Sequence, residues 1–283
     1  MIGKTRQTPA AEIEEVYDSE VGKARGILRR PLPAGKLRHS RRSPAVELAP
    51  WIAHYWMIRW DLRGCEPQGV ESLPHPNIHV VFENNGSVVC GVQTHKFSRV
   101  LEGQSHVFGI KFRPGGFRPF FNSPLSKLAD RIVPATSIFG RDVDPLEGVA
   151  LSSCADDEKI DAANTFFRAR TPAPDATIEL AGRLVECILQ DTEIKTVDHL
   201  VSRAGIGKRS LQRIFSDYVG VSPKQVIRRY RLHELIERLN TGDKLDWPQL
   251  ALELGYFDQA HLINDFKSII GYSPTQYALR NAP

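Results

Sequence analysis

The pattern of apolar and polar positions changes character partway along the chain. Over residues 46 to 121 it alternates with a period of two, and in the stretch HYWMIRWDL the residues Trp56, Ile58 and Trp60 share one face. A period of two is typical of β-strands that bury one side. Asn85-Gly86 stands between two runs rich in β-branched residues, which predicts a tight hairpin. This region is therefore predicted to be a β-rich domain.

Beyond residue 124 the period becomes helical. Apolar residues recur every three to four positions in LEGVALSS, DEKIDAANTFFRAR and ATIELAGRLVECILQ, which are separated by stretches such as TPAPD. In the last segment one helical face is apolar; its residues are Ile178, Ala181, Leu184, Val185 and Ile188. The pattern predicts a connector of packed helices.

The last third of the chain contains a repeat. Residues 200 to 223 (LVSRAGIGKRSLQRIFSDYVGVSP) align without a gap with residues 251 to 274 (ALELGYFDQAHLINDFKSIIGYSP). Each copy predicts a short helix, a tight turn and a second helix with Leu and Phe four apart on its buried side, which is helix-turn-helix spacing. Asp258 can cap the second helix of its copy by accepting from a backbone N–H, whereas Gly207 can do so only weakly.

The segment between the two copies predicts a rigid linker. Pro223 suits the first turn of a helix, and apolar positions recur as far as Leu239. Such a helix would be roughly 25 Å long at ~1.5 Å per residue. If it sets the two second helices about one DNA turn apart, ~34 Å, both can enter successive major grooves. The predicted fold class is α+β: a β-rich, cupin-like N-terminal domain, a helical connector, and an all-α C-terminal domain with two helix-turn-helix units joined by a linker helix.

Composition limits the class of protein. The chain of 283 residues is 41% hydrophobic and 25% charged, which suits about two domains with ordinary cores. The sequence has no long apolar run and no apolar signal core, so we expect no membrane span and a cytoplasmic location. The cysteines form no Cys-x-x-Cys pair and are interpreted as buried thiols; they are Cys65, Cys90, Cys154 and Cys187. No metal site and no cofactor are predicted.

Positive charge is unevenly distributed. Residues 195 to 231 contain nine Lys or Arg and two Asp, and residues 23 to 42 contain eight Lys or Arg and no acid. Clustered positive charge favours contacts with phosphates. Because the second cluster also contains prolines and glycines, we interpret residues 1 to 44 as a flexible basic arm, either a solvated tail or an auxiliary phosphate contact.

The first copy of the repeat carries candidate DNA contacts. The outward positions of its second helix are Lys208, Arg209, Gln212 and Arg213. Arginine suits the guanine edge and glutamine the adenine edge because each can form paired hydrogen bonds there, whereas lysine suits a phosphate equally well. A merely solvated helix face is the alternative, and the surrounding positive charge and the duplication disfavour it.

The second copy is chemically weaker at the matching positions. Gln259, His261 and Asn264 are candidates for contact with a base or a phosphate, and Lys267 is a candidate phosphate contact. Asp265 stands beside Asn264, and a carboxylate near phosphates is repelled. Both base recognition and docking on the DNA backbone alone stay open for this copy.

At these segments the chain resembles the AraC family of bacterial transcription regulators. The resemblance is carried by LQRIFSDYVGVSPKQVIRRYRL and WPQLALELGYFDQAHLINDFKSIIGYSPTQY. It implies an all-helical domain that binds two adjacent major grooves, with family DNA contacts at positions matching Arg209, Gln212 and Arg213. Where this sequence has Asn264, the family often has arginine.

The resemblance is weaker in the N-terminal half. The stretch GIKFRPGGFRPFFNSPLSKLADRIVPATSIFG is similar to the β-rich domains that precede such DNA-binding domains and that commonly bind an effector or dimerise. The expected domains are 45–140 for sensing or dimerisation, 141–194 as connector and 195–283 for DNA binding. The implied partner is double-stranded DNA, with RNA polymerase, a small-molecule effector and a second copy of the chain as further candidates and no membrane.

Two other classes of function remain open beside a sequence-specific, non-enzymatic DNA-binding regulator. In HPNIHVVFE, the residues His75, His79 and Glu83 would share one face of a strand and could hold a metal ion in a cupin-like enzyme, although cupin histidines usually stand two apart. The other class is an interaction protein with degenerate DNA binding. The aromatic residues of WIAHYWMIRW fit either core packing or an effector pocket.

Overall fold

The strands precede the helices along the chain. The computed structural model describes residues 12–21, 26–29, 36–241 and 245–281. Its strands are β1 (Glu12–Tyr17), β2 (Ile27–Arg29), β3 (Lys36–Arg42), β4 (Ile52–Asp61), β5 (Gln68–Ser72), β6 (His79–Glu83), β7 (Gly86–Cys90), β8 (Phe97–Leu101), β9 (Gln104–Phe112) and β10 (Ile132–Pro134). Its α-helices are α1 (Thr136–Phe139), α2 (Asp144–Leu151), α3 (Asp156–Arg168), α4 (Ala176–Gln190), α5 (Val197–Ala204), α6 (Lys208–Ile214), α7 (Pro223–Asn240), α8 (Trp247–Glu253), α9 (Gln259–Ile270) and α10 (Pro274–Asn281).

The strands form two sheets that pack against each other. Within the described ranges, the larger sheet has the order β1-β3-β4-β9-β6-β7-β10 and the smaller has the order β2-β5-β8. A hairpin is confirmed here, because β6 and β7 pair antiparallel. Its turn is Asn84-Asn85 rather than the predicted Asn85-Gly86, because Gly86 is already paired with Glu83. The β-rich, cupin-like N-terminal domain, the connector and the all-α C-terminal domain follow in the predicted order.

The two faces of β4 bury different residues. Tyr55 and Met57 point into the main core, which the sheet shares with the helices that follow. Trp56, Ile58 and Trp60 point to the other side, where they line a cavity of about 1750 Å³ that is bounded by both sheets and by α4. The aromatic residues of this segment are therefore divided between the core and a cavity, and each of the two interpretations holds for part of them.

The basic N-terminal segment differs from the expected flexible arm. Residues 12–17 and 36–42 form strands of the larger sheet, β1 parallel to β3 and β3 antiparallel to β4. Arg38 pairs with Glu14 and Arg42 with Asp18, so two of its cations neutralise nearby acids. The apolar alternation that indicates a strand is missing from this segment, because His39 and Arg41 on the cavity side of β3 are polar or basic and only Leu37 there is apolar. The remaining parts of this segment, 1–11, 22–25 and 30–35, lie outside the described residues.

The cysteines are also less buried than expected. All four, Cys65, Cys90, Cys154 and Cys187, are half-buried rather than buried. As for membranes, no helix in the part of the chain that the structure describes is long and apolar enough to cross one.

The predicted linker helix is confirmed as α7, which begins at Pro223. Ser222 caps it and forms a reciprocal capping box with Gln225. The helix is buried on several sides because α4, α5 and α10 all contact it. Arg231 donates from its two Nη atoms to the backbone oxygens of Thr192 and Ile188, at 3.3 Å and 3.0 Å.

The N-terminal domain docks on the second helix-turn-helix unit. Leu28 and Leu73 belong to the same apolar core as the residues of that unit. Lys96 donates from its backbone to Ile269 at 3.2 Å. Glu71 accepts from Lys96 Nζ at 2.6 Å and from the Tyr272 hydroxyl at 2.7 Å. Sheet and DNA-binding region are thereby joined by packing and by charged hydrogen bonds.

Candidate nucleic-acid interface

Two helix-turn-helix units are present where the repeat predicted them. The first consists of α5 and α6 and the second of α8 and α9. Gly205 ends α5 in the left-handed conformation (φ 65°), and Gly255 follows α8 with φ 80°. Glycine is favoured at both because a Cβ destabilises that conformation. The turn is shorter in the first unit, so the two copies are related but not identical.

The N-termini of the two second helices differ in their caps. In the second unit Asp258 accepts from the backbone N–H of His261 at 2.7 Å. In the first unit Gly207 stands at the corresponding position and has no side chain to accept. This outcome confirms the difference predicted from the sequence.

The second helix of the first unit changes form near its end. After α6 the chain continues as a π-helical turn from Phe215 to Val219, closed by a hydrogen bond from Gly220 N–H to the Phe215 carbonyl at 2.7 Å. A π turn shifts the angular position of the residues beyond it. Phe215 and Val219 both remain buried in the shared core as a result.

The four predicted contact residues of the first unit are all exposed. They are Lys208, Arg209, Gln212 and Arg213, and they lie on α6 while Leu211 and Ile214 face the core. Lys208 forms an ion pair with Asp198 of α5 at 2.8 Å, in which both side chains are more than half exposed. Exposed pairs of this kind contribute little to stability, so a phosphate can compete for the lysine.

Not all of the positive charge in residues 195 to 231 faces solvent. Arg229 and Arg231 are buried, and Arg229 donates from Nη1 to the backbone oxygen of Pro74 at 2.5 Å. Burial lowers the pKa of Arg229 to about 10, which still leaves it charged at neutral pH. The exposed cations of this region are Arg203, Lys208, Arg209, Arg213 and Lys224.

The predicted contact residues of the second unit lie on α9. His261, Asn264 and Lys267 are exposed, and Gln259 is half-buried at the first turn. The His261 ring meets Tyr256 edge to face, with centroids 5.2 Å apart. The exposed face of this helix is therefore polar with one lysine, whereas the face of α6 carries three cations.

Asp265 does not face the DNA side, contrary to the expectation from the sequence. It is 9% exposed and forms an ion pair with Arg228 of α7. Its second carboxylate oxygen accepts from the Tyr256 hydroxyl at 2.7 Å. Because the carboxylate is turned inward and neutralised, the argument that it repels phosphates does not hold.

One exposed residue in the second unit was not predicted. Phe257 is 86% exposed in the turn between α8 and α9, immediately before the capping Asp258. The sequence did contain a signal, because two aromatic residues are adjacent in this turn; Tyr256 is buried and Phe257 is exposed.

The three residues of the metal hypothesis have separate partners. The indole of Trp56 donates to His79 Nδ1 at 3.2 Å, and Arg99 Nη1 binds Glu83 at 2.5 Å. His75 stacks on His233 of α7 with centroids 4.7 Å apart. Throughout the ranges given above, no group of three or more His, Cys, Asp or Glu side chains is arranged to hold a metal ion.

Known proteins match the chain in two separate regions. A family model described as a domain of unknown function (DUF6597) matches residues 40–134, and one described as a helix-turn-helix domain matches residues 200–280. The probable transcription factor PqrA of Proteus vulgaris is 30% identical over 93 residues, which cover 33% of this chain and 75% of that protein. The chain belongs to the AraC family of transcription regulators.

Two further relatives match the same third of the chain. The HTH-type transcriptional activator AarP of Providencia stuartii is 32% identical over 84 residues, 30% of this chain and 62% of that protein. An uncharacterized HTH-type transcriptional regulator of Haemophilus influenzae is 30% identical over 81 residues, 29% of this chain but only 27% of its own length. These relatives are regulators by name, and the similarity lies in the DNA-binding region.

Solved structures of one further protein, ToxT of Vibrio cholerae, align over most of the chain. A crystal structure of apo ToxT from Vibrio cholerae, determined on a point variant, has 13% identity, covers 80% of this chain and 97% of that one, and gives a TM-score of 0.38. A second ToxT structure has 12% identity, covers 73% and 87%, and gives a TM-score of 0.36.

Proposed function

We propose that this AraC-family chain binds promoter DNA through both helix-turn-helix units, and that α6 supplies most of the base recognition. The observation that carries the proposal is the common exposure of Lys208, Arg209, Gln212 and Arg213 on one helix. Arg209 and Arg213 are proposed to bind guanine edges and Gln212 an adenine edge, because these side chains form paired hydrogen bonds with those bases. Lys208 is proposed to hold a phosphate.

The second unit is proposed to position the protein more than to select sequence. Gln259 lies at the first turn of α9, where polar groups commonly contact phosphate, and Lys267 adds a single cation. Asn264 and His261 are exposed and sized to contact a base or the backbone. With Asp265 turned away, the face can approach DNA without repulsion from that carboxylate.

The N-terminal domain is proposed to act as a sensor for a small molecule. Its cavity reaches Tyr230 of α7, so a ligand there would touch the helix that joins the two DNA-binding units. Control by occupancy requires that the ligand bind one arrangement of these units better than another. RNA polymerase and a second copy of the chain stay expectations from the family resemblance.

Substitution of Arg213 tests the assignment of base recognition. Arg213→Ala should weaken binding to the preferred site by ~1 to 3 kcal/mol and relax the preference at one base position. Binding to a set of single-base variants of a site selected from random DNA, measured by fluorescence anisotropy at fixed salt, gives both quantities. Asn264→Ala should have the smaller effect.

Two comparisons make the test specific. Arg141→Ala removes the same charge from a highly exposed arginine of the connector and should leave site preference unchanged. The affinity for random DNA should fall steeply with salt, as expected for phosphate contacts. Unchanged affinity and base preference in Arg213→Ala would refute its role, and no binding to any DNA at low salt would favour the interaction-protein alternative.

A further inference from the structure

The cavity of the N-terminal domain has a mostly apolar wall. Successive rows of paired residues cross the larger sheet, and one row includes Trp56 on β4, Gly109 on β9 and Val81 on β6, with Arg41 of β3 opposite Trp56. The Trp56 indole lies on Gly109: a Cβ there would come within 2.0 Å of the ring. Glycine therefore allows the tryptophan to lie on the sheet, and Trp60 and Leu101 extend the apolar wall.

The neighbouring row is polar and basic. Lys111 on β9 stands opposite His54 on β4 and opposite His79 on β6. Arg41 on β3 stands beside this row, with its Nη2 3.1 Å from His54 Nε2. All four side chains line the same cavity. A cluster of basic groups is thus placed beside the apolar wall of the cavity.

The two histidines are neutral, because each accepts a hydrogen bond on a ring nitrogen. Arginine can only donate, so His54 Nε2 accepts from Arg41, and His79 Nδ1 accepts from the Trp56 indole at 3.2 Å. Burial and the charge of Lys111 lower the pKa of His79 to about 3, and they lower the pKa of His54 further still, with help from Arg41. The positive charge of the cluster therefore resides on Arg41 and Lys111.

Only one of these two cations faces an acid. Glu15 on β1 supplies a negative charge to Arg41. Lys111 forms no ion pair and no hydrogen bond with any residue in the described ranges, and burial followed by the charge of Arg41 lowers its pKa to about 8. The other carboxylates at the cavity wall have partners of their own: Glu71 binds Lys96, Glu83 binds Arg99, Asp175 binds Tyr218, Glu179 binds Arg183 and Glu186 binds Gln190.

We infer that this cavity binds a hydrophobic monocarboxylate, whose anionic group contacts Lys111 and Arg41 and whose apolar body lies against Trp56 and Trp60. The single unmatched charge of Lys111 favours a monoanion over a phosphate dianion. An uncompensated ammonium in a largely apolar chamber is unfavourable, and a carboxylate would neutralise it and form charge-assisted hydrogen bonds. The idea that this binding controls DNA recognition rests on the proposed function. The inference that the cavity binds such a ligand does not rest on it.

Titration of the full chain with defined probes tests the inference without DNA. Binding of 1-naphthoate and of decanoate is followed by tryptophan fluorescence, alongside the uncharged 1-naphthalenemethanol and the dianion 1-naphthyl phosphate. We expect a carboxylate to bind more tightly than the alcohol and the phosphate. Comparison of naphthoate with decanoate shows whether the cavity prefers a planar or an alkyl ligand. The inference is supported if either carboxylate binds more tightly than the alcohol and the phosphate.

Lys111→Met removes the charge at similar side-chain length and should weaken the better carboxylate by about 10- to 100-fold, the scale of a charged hydrogen bond. Alcohol binding should stay unchanged, which shows that the cavity is intact. Lys127→Met, at an exposed lysine of the same domain, is the matched control and should bind like the wild type. Equal affinity of carboxylate and alcohol, or wild-type carboxylate affinity in Lys111→Met, would overturn the inference. Loss of DNA binding would bear only on the proposed function, because these titrations contain no DNA.

Discussion

At the scale of single residues, the two copies of the repeat differ most where Ile214 in the first corresponds to Asp265 in the second. Both positions face the interior, and Ile214 needs only apolar neighbours. A buried carboxylate needs charge and hydrogen bonds, which Arg228 and Tyr256 supply. Arg228 also donates to the Ser268 hydroxyl at 2.6 Å, so the linker helix is tied to α9 by one guanidinium. Where the first copy has apolar packing by Ile214, the second copy therefore has a specific polar contact of Asp265 that joins α9 to the linker helix α7.

Removing this carboxylate should destabilise the second unit. Asp265→Ala leaves the Tyr256 hydroxyl and the Arg228 guanidinium without their shared acceptor. We expect the free energy of unfolding to fall by about 2 to 3 kcal/mol. This is less than the cost of breaking a fully buried ion pair, because water reaches Arg228. The free energy of unfolding in urea measures this loss.

Two further variants separate burial from charge. Asp198→Ala removes a carboxylate from an exposed pair with Lys208 and should leave stability close to that of the wild type. The double variant Asp265→Ile, Arg228→Met should recover part of the loss, because it removes both charges together, while the Tyr256 hydroxyl still lacks its acceptor. Wild-type stability of Asp265→Ala would contradict the structural role of the pair.

At the scale of elements, the cap of the second helix distinguishes the units. Asp258 satisfies a backbone N–H at the start of α9, whereas at the start of α6 Gly207 cannot. Gly207 has φ −60° and ψ 143°, an ordinary extended conformation, and a Cβ added there would meet nothing within 4 Å. Its conformation is open to any residue, so the missing cap is a property of the sequence rather than of the backbone.

Gly207→Ser should therefore stabilise the protein by about 0.5 to 1 kcal/mol, through a new cap and a less flexible unfolded chain. Asp258→Ala is the opposite change at the matching position and should cost about 0.5 to 2 kcal/mol. Urea unfolding of both variants measures the two effects. A destabilised Gly207→Ser would show that the turn of the first unit requires glycine for a reason other than its backbone angles.

The elements differ in how far the sequence predicts them. The repeat, the linker helix and the hairpin of β6 and β7 could be predicted because each rests on local spacing and turn chemistry, although the turn of the hairpin lies one residue earlier than predicted. Strand β3 could not, because two of its three cavity-facing residues, His39 and Arg41, are polar or basic, so the alternation of apolar residues that indicates a strand is missing. The cluster around Lys111 was missed for a related reason: its members come from strands far apart in the sequence and meet only through sheet register.

At the scale of the whole molecule, the N-terminal domain contacts the second helix-turn-helix unit through groups that the sequence does not relate to each other. Glu71 and Tyr272 are separated by 201 positions, yet they share a hydrogen bond of 2.7 Å. Lys96 completes the bridge and lies over the Tyr272 ring, 4.6 Å from its centroid. The position of α9 relative to the sheet is therefore set in part by one carboxylate.

This bridge should depend on pH in a defined direction. Burial by itself would raise the pKa of Glu71, but hydrogen bonds from Lys96 and Tyr272 and the charges of Lys96 and Arg280 outweigh it and hold that pKa below its usual value. Because the pKa is lower in the folded than in the unfolded state, the bridge contributes fully above the unfolded value of about 4.3. Its contribution is lost as the pH falls through the lower, folded pKa.

Glu71→Gln should accordingly lower stability at neutral pH by about 1 kcal/mol, the scale of a partly screened charged hydrogen bond, and the difference from the wild type should shrink below about pH 4.3. Amide hydrogen exchange at pH 7 should become faster in α9 and α10, because these helices lose a contact with the sheet. Glu83→Gln breaks a comparable ion pair with Arg99 inside the N-terminal domain and should leave exchange in α9 unchanged. Equal exchange rates in α9 for Glu71→Gln and the wild type would mean that the Glu71 bridge does not help to hold the two regions together.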